Sequence, residues 1–432
     1  MAQNASYYQA TRNSPPEAPH AATGNLTCDV CVVGGGYTGL SAALALAEKQ
    51  FDVVLLEGRD IGDGASGRNG GQVGSAHTVL QPRLQTVYGP VRARALWDLS
   101  ERAKALVKQL IRTHEISCDY TPGNMGCAVT ESSLDAFKRH VDMVRDLYGY
   151  DAYEIHDRAE VAALCGSPIY CGAMNDPSAG HVHPLNLALG LADAARKAGV
   201  RIHCQSPARS IEAGAPARVY TVKARITAGQ VILAWNGYLP DITPGLAPDQ
   251  EKCILPIDNF QVATEPLDEE TYASVLTNNA CFWDSHNQVY YYRKTRDRRL
   301  TFGGGLRVPN APPRDAKAFT RRHLLKVFPQ LAPVAIDFAW GGTLAATRSG
   351  LPSIGVAGPG VRYSLGYSGH GVALATLCGR LMAESIIGPS SGFDLLAGIA
   401  PKPYRLPAFL RGPVLRAGFA HLALMDAIRG LR

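Results

Sequence analysis

Apolar and polar positions follow two distinct periods along this chain. Residues 30–33 (Val-Cys-Val-Val) and 53–56 (Val-Val-Leu-Leu) are short unbroken apolar runs, as expected of strands buried on both faces of a parallel sheet. Residues 40–48, small and aliphatic, predict the helix that joins them. A helical period then places Leu96, Leu99, Ala103, Leu106 and Leu110 on one face, and Leu134, Phe137, Val141 and Val144 on another. Ser132 and Asp135 are spaced as a capping box for the second of these helices. A further βαβ-like passage follows, in which Pro184 opens a helix through Leu187, Leu191 and Ala195, Gly199 stops it, and residues 200–203 resume a strand. Residues 231–234 form another apolar run. From 254 to 339 the period falls to two and aromatics accumulate, as in residues 288–293 and 299–302, which predicts an antiparallel sheet. Residues 363–365 run through a glycine-rich turn at 366–371 into a last apolar helix.

The predicted fold class is therefore α/β: a doubly wound, Rossmann-like domain built from discontinuous segments, plus a second domain with a mixed or antiparallel sheet. The expected boundaries are an arm over 1–25, nucleotide-domain pieces at 26–90, 171–240 and 340–388, second-domain pieces at 91–170 and 241–339, and a tail over 389–432. A chain of 432 residues with 46% hydrophobic content supports two or three such domains. The net charge of +6 is scattered, with none of the basic stripe of a nucleic-acid surface, so no nucleic acid is expected as partner. No apolar run of about 18 residues exists, so no transmembrane span is expected. The first 24 residues lack the pattern of a secretory signal and read as an arm. Ten scattered cysteines favour a reducing compartment, hence a cytoplasmic location. Cys28 and Cys31 lie three apart on one strand, where side chains point to opposite faces, so no metal or redox pair is expected there. The basic, mildly amphipathic segment 413–431 reads as a helix covering its own domain, with peripheral membrane contact as the alternative.

Gly34, Gly36 and Gly39 complete G-x-G-x-x-G between the first strand and the first helix. Such glycines let backbone N–H groups approach a pyrophosphate at a helix N-terminus, and Glu57, at the end of the second strand, stands about 20 residues on, where an acid takes ribose hydroxyls. The turn at Gly366, Tyr367, Ser368, Gly369, His370 and Gly371 opens a second helix in the same way. A nicotinamide-binding unit has no use for it, whereas a flavin does, because its reduced ring is anionic. Serine nucleophile chemistry is excluded at this turn, since His370 stands where G-x-S-x-G requires glycine. His181 and His183 could share a face of an extended segment, but no third ligand accompanies them, and no metal is expected.

These motifs, together with residues 64–72 (Gly-Ala-Ser-Gly-Arg-Asn-Gly-Gly-Gln) and 180–188 (Gly-His-Val-His-Pro-Leu-Asn-Leu-Ala), resemble the D-amino-acid-oxidase-type family of FAD-dependent amine and amino-acid oxidases. Within it, the last two stretches are similar to the gamma-glutamylputrescine-oxidase-like branch. The resemblance implies FAD held by Gly34, Gly36, Tyr37, Thr38, Gly39, Glu57, Gly58, Ala234, Gly366, Tyr367, Gly369, His370, Gly371 and Val372, with Ser66, Gly67, Arg68, Asn69, Gly70, Gly71 and Gln72 along the flavin. It implies oxidation of a primary amine of gamma-glutamylputrescine or a related polyamine to an aldehyde, with ammonia and hydrogen peroxide released and oxygen as acceptor. An oxidase or dehydrogenase for sarcosine, glycine or a D-amino acid is the alternative. His370 and His183 are the candidate catalytic histidines. Trp283, Tyr290, Tyr292 and Trp340 could build an aromatic wall, and Arg293 could take a substrate carboxylate. With no cysteine between 337 and 371 and no histidine in 66–72, non-covalent FAD is expected. The sequence leaves the oligomeric state open.

Overall fold

The computed structural model describes residues 6–15, 20–238, 242–243, 245–308, 313–405 and 408–429. Its first sheet is centred on Gly24–Val33, which pairs in parallel with Val53–Leu56 on one side and Ala224–Leu233 on the other. Arg201–His203 extends the sheet beyond Val53–Leu56, and Val361–Leu365 extends it beyond Ala224–Leu233. Antiparallel Ser353–Gly358 closes that edge, and a hairpin of Ser210–Glu212 and Ala217–Tyr220 hangs on the long strand. Three separated stretches of chain thus meet in one sheet, as the apolar runs predicted.

The helix Tyr37–Ala47 is buried along its whole length. It is apolar all round because a second helix, Gly371–Ile387, covers the face it turns away from the sheet. Close contact between the two requires glycine: a Cβ on Gly379 would stand 2.1 Å from the Thr38 carbonyl oxygen. The long helix Pro90–Thr113 packs on Gly371–Ile387 through Leu96, Leu99, Ala103, Leu106 and Leu110, all buried in the core of the first sheet.

The second sheet runs in the order Ile336–Ala346, Leu255–Thr264, Leu300–Arg307, Tyr291–Lys294, Cys281–Asp284, Thr121–Ala128, Gly172–His181 and Gln72–Val73. It is antiparallel except where Cys281–Asp284 runs parallel to Thr121–Ala128. Helices Glu131–Tyr148 and Ala316–Val327 lie against it, the first through Leu134 and Phe137.

Several local expectations are corrected. Helix Glu131–Tyr148 is capped by Thr130, whose hydroxyl accepts from Ser133 N; Ser132 and Asp135 form no capping box, because the helix begins earlier than its apolar face suggests. The helix Pro184–Lys197 does not sit in a βαβ unit, since Gly172–His181 before it belongs to the second sheet and Arg201–His203 after it to the first. Ile336–Ala346 and Gln72–Val73 likewise lie in the second sheet, and Pro90–Thr113 in the first core, so the expected boundaries at 90, 171 and 340 do not coincide with the sheets. Cys28 and Cys31 border one apolar cluster instead of opposite faces. The N–H groups of Asp29 and Val30 both donate to Asp52 O, and the strict alternation of faces is lost between the two cysteines. Burial holds both thiols protonated, that of Cys28 pushed up to about 12.

Candidate active site

A cavity of about 710 Å³ lies where the C-terminal ends of the central parallel strands meet the second sheet. One end is built from backbone. Gly34 adopts φ +115°, and a Cβ there would stand 2.6 Å from Ala234 O; a Cβ on Gly39 would stand 1.9 Å from Gly34 O. The first glycine lets the turn cross the neighbouring strand, and the third lets the helix start directly on the first strand. Gly36 precedes the helix and can offer no side-chain cap, so its first turn opens toward the cavity; Tyr37 N donates to Ser66 Oγ at 3.1 Å. Glu57 closes this end. It accepts from Gly35 N at 2.6 Å and Arg59 N at 2.8 Å, while burial raises its carboxyl above the usual range despite those bonds.

The stretch 62–72 forms the wall between the two sheets. Its side chains mostly fix their own loop: Asn69 Nδ2 donates to Ala65 O and Ser66 O, and its Oδ1 accepts from Gly71 N. Arg68 pairs with Asp63 at 3.2 Å, and its carbonyl accepts from Trp340 Nε1 and from Gln261 Nε2. Gln72 Nε2 donates to Phe282 O at 2.8 Å, tying the loop to the second sheet.

The second helix N-terminus enters from the far side. Gly369, at φ +96°, and His370 lead into Gly371–Ile387, and His370 makes no capping bond. Thr78 Oγ1 donates to Ser368 O at 2.9 Å and meets His370 Nδ1 at 3.1 Å, which makes Nδ1–H the donor of that pair. Burial lowers the His370 pKa to about 4.

The remaining wall belongs to the second sheet and was read less well from sequence. Trp283 lines the cavity, with its Nε1 donating to Asn124 Oδ1 at 2.9 Å. Tyr291 lines it too and donates to Asn259 Oδ1. Tyr290 and Tyr292 do not reach it. Strand alternation turns them to the opposite face, where Tyr292 lies between Phe282 and Phe302 and Tyr290 bonds His323 Nδ1 at 2.9 Å. Trp340 packs against Tyr8. Arg293 donates to Gly70 O at 3.0 Å from behind the loop. His183 does not line this cavity either: it caps Pro184–Lys197 through Nδ1, bonds Thr11 Oγ1 at 3.0 Å through Nε2, and burial lowers its pKa to about 3. Of the glycines assigned to FAD, Gly39, Gly67, Gly71 and Gly366 serve close backbone approach instead of lining the cavity. The other residues assigned to FAD all line it.

Sequence reasoning missed a polar cluster on this wall. Asp176, with Glu57, is one of two carboxylates lining the cavity among the described residues. Burial opposes its charge, yet Lys104 Nζ at 3.3 Å and hydroxyls of Ser75, Ser178 and Tyr150 hold its pKa below the usual value. His77 and His140 line the cavity as well, both lowered to about 4 by burial. No local motif flags any of these groups, because they come from separate elements.

Two uncapped helix N-termini and a glycine cradle opening on one cavity fit a dinucleotide with an anionic ring at its far end. Known proteins agree. The family profile "DAO: FAD dependent oxidoreductase" matches residues 29–385. Gamma-glutamylputrescine oxidoreductase of Escherichia coli (strain K12) is 39% identical over 98% of both chains. The probable oxidoreductase OrdL of Rhizobium meliloti (strain 1021) is 37% identical over 97% of this chain and 95% of its own. Glycine oxidase from Geobacillus kaustophilus shares the fold, with TM-score 0.70 at 21% identity over 88% of this chain and 99% of its own. On the family match and the end-to-end relatives together, this chain belongs to the DAO family of FAD-dependent oxidoreductases.

Proposed function

We propose that the protein is an amine oxidase that converts a primary amine of gamma-glutamylputrescine, or of a related polyamine, to an aldehyde, releasing ammonia and hydrogen peroxide with dioxygen as acceptor. The observation that carries this reading is the 39% identity to gamma-glutamylputrescine oxidoreductase across 98% of both chains. FAD, when bound, supplies the acceptor for the hydride leaving the carbon next to the amine. The chain does the rest. The first turns of Tyr37–Ala47 and Gly371–Ile387 present backbone donors to anionic groups of the cofactor. Trp283 and Tyr291, with Asn124 and Asn259 behind them, form the wall against which an aliphatic amine is oriented. An apolar, aromatic wall disfavours a charged ammonium and so selects the neutral amine, the form that can release hydride.

The FAD is proposed to be non-covalent: no cysteine lines the cavity among the described residues, and its histidines are His77, His140 and His370. All ten cysteines are free, which supports a cytoplasmic location. The test is anaerobic mixing. Gamma-glutamylputrescine or a free polyamine should bleach the flavin, and air should restore it with peroxide release. Sarcosine and D-alanine should be poorer by at least about tenfold in kcat/KM, roughly 1.4 kcal/mol of discrimination. Rapid bleaching by sarcosine or D-alanine and none by polyamines would replace this reading with an amino-acid oxidase.

A further inference from the structure

The end of the chain touches the lining of the large cavity at two places. At the first, Tyr404 N donates to Lys252 O at 2.8 Å, and Tyr404 Oη donates to Ala346 O at 3.3 Å, Ala346 being a lining residue. At the second, the helix Ala408–Arg429 meets the turn 285–290, which joins Cys281–Asp284 to Tyr291–Lys294. Asn287 and Val289 of this turn line the cavity, and the two strands it joins carry the lining pair Trp283 and Tyr291 in register.

Two carboxylates hold the turn. Asp284, fully buried, accepts from His286 N at 3.2 Å and Tyr290 N at 3.0 Å, which fixes its two ends. Asp426, on the C-terminal helix, holds the middle. Its Oδ1 accepts from Asn287 N at 2.9 Å and Asn287 Nδ2 at 2.7 Å, and its Oδ2 accepts from Gln288 N at 3.1 Å. Two turns earlier on the same helix, Phe419 O accepts from Gln288 Nε2 at 3.1 Å. Among the described residues no backbone carbonyl accepts from Asn287 N or Gln288 N. One carboxylate that gathers consecutive backbone donors and a side-chain amide sets both the path of the turn and the direction of Asn287.

We propose that Asp426 is a positioning residue of the substrate site: from the C-terminal helix its carboxylate presets the 285–290 turn, and with it Asn287 and Val289, before an amine enters. This rests on the large cavity being the place of oxidation, as in the reading above, and not on which amine is oxidised. Without the carboxylate the turn's donors lose their acceptor and the turn samples several paths. A substrate must then select the competent one, so binding weakens by its fractional population, while the complex, once formed, reacts as before.

The experiment is anaerobic rapid mixing of full-length, FAD-loaded Asp426→Ala with an amine or amino acid that bleaches the parent flavin. The half-saturating concentration should rise at least about fivefold, with the limiting bleaching rate within about twofold and FAD content unchanged. Asp426→Asn, which keeps one acceptor oxygen, should fall between Asp426→Ala and the parent. An unchanged half-saturating concentration, or a loss confined to the limiting rate, overturns the proposal. Hydrogen exchange gives a second reading that needs no substrate. The amides of residues 287 and 288 should exchange at least about tenfold faster in Asp426→Ala, with the rest of the second sheet unaltered, and unchanged exchange there overturns the proposal. Failure of every amine and amino acid to bleach the parent protein overturns the functional reading, and the exchange experiment then decides whether Asp426 holds the turn.

Discussion

The two ends of the large cavity are made of different material. At the nucleotide end, the wall is backbone: Gly34, Gly36 and the first turn of Tyr37–Ala47 are placed by what glycine permits. At the covering end, the wall is side chains, Trp283, Tyr291, Asn124 and Asn259, placed by strand register and by neighbours far away in the chain. A backbone site is written in local spacing, so it can be read directly. A side-chain site on a sheet depends on which face each position takes, and one residue of slip inverts the answer.

The first way to break this comparison is Gly36→Val. A Cβ at position 36 would stand 2.9 Å from Ser66 Oγ, and the branched side chain would project where N–H groups must meet the pyrophosphate. The purified variant should be folded by circular dichroism and colourless, with FAD content reduced more than about tenfold. Full yellow protein would show that the cradle does not hold the cofactor.

The next largest effect lies where the two halves are joined. Lys104, on the helix of the first core, reaches Asp176 on the second sheet, along with Glu101, Ser75, Tyr150 and Ser178. Burial pulls the Lys104 pKa down, but the Asp176 and Glu101 carboxylates outweigh it, and the ammonium stays charged. Lys104→Met should cost about 3–5 kcal/mol in denaturant unfolding, because it leaves Asp176 buried without its counter-ion. A loss below about 1 kcal/mol would mean the network is solvated and does not couple the halves.

How much was legible follows from this contrast. The parallel strands, the helix Tyr37–Ala47, the turn before Gly371–Ile387 and Glu57 were all visible, since continuous apolar runs and glycine spacing are local signals. The aromatic wall is legible as a region, with Trp283 on the cavity side as expected but Tyr290 and Tyr292 on the opposite face. Tyr290 and Tyr292 satisfy the same alternation as Tyr291, and only the pairing of Tyr291 with Gly303 shows which face meets the cavity. Gly303 itself leaves room for that ring, since a Cβ there would stand 2.2 Å from it. Arg293 as a carboxylate partner and His183 as a catalytic histidine are readings of residue chemistry alone, which carries no information on where the side chain lies. In the structure they hold the N-terminal segment and the loop, through partners 285 and 172 residues away in sequence. His77, His140 and Asp176 gave no signal at all, as no short window contains them together.

The pair Tyr291 and Tyr292 tests the facing directly. Tyr292→Ala should destabilise the fold by about 3–5 kcal/mol, as for other large buried side chains, while the folded fraction keeps its kcat/KM. Tyr291→Ala should do the reverse, with modest loss of stability and about a tenfold fall in kcat/KM, or 1.4 kcal/mol. An equal pattern in both variants would erase the distinction between the two faces.

For activity the smallest effect concerns the histidines, and pH separates it from the rest. Burial lowers His77, His140 and His370 to about 4, so all three are neutral at pH 7. A folded-state pKa below the unfolded value near 6.5 means that the unfolded chain binds more protons between these limits. The stability these groups contribute is fully present above pH 6.5 and is lost as pH falls toward 4. Unfolding free energy should therefore drop steeply across that window, and a flat profile there would place the histidines in water. For activity the same argument predicts a silence. Between pH 6 and 8, kcat/KM should climb about tenfold per unit as the substrate amine deprotonates, with no inflection from a histidine. His370→Asn keeps a donor for Thr78 Oγ1 and should change kcat/KM by less than about threefold, under 1 kcal/mol, without altering the slope. An inflection near pH 6.5 in the parent that vanishes in His370→Asn would make this imidazole a titrating participant, and the covering end would then hold a proton-transfer group beside its wall.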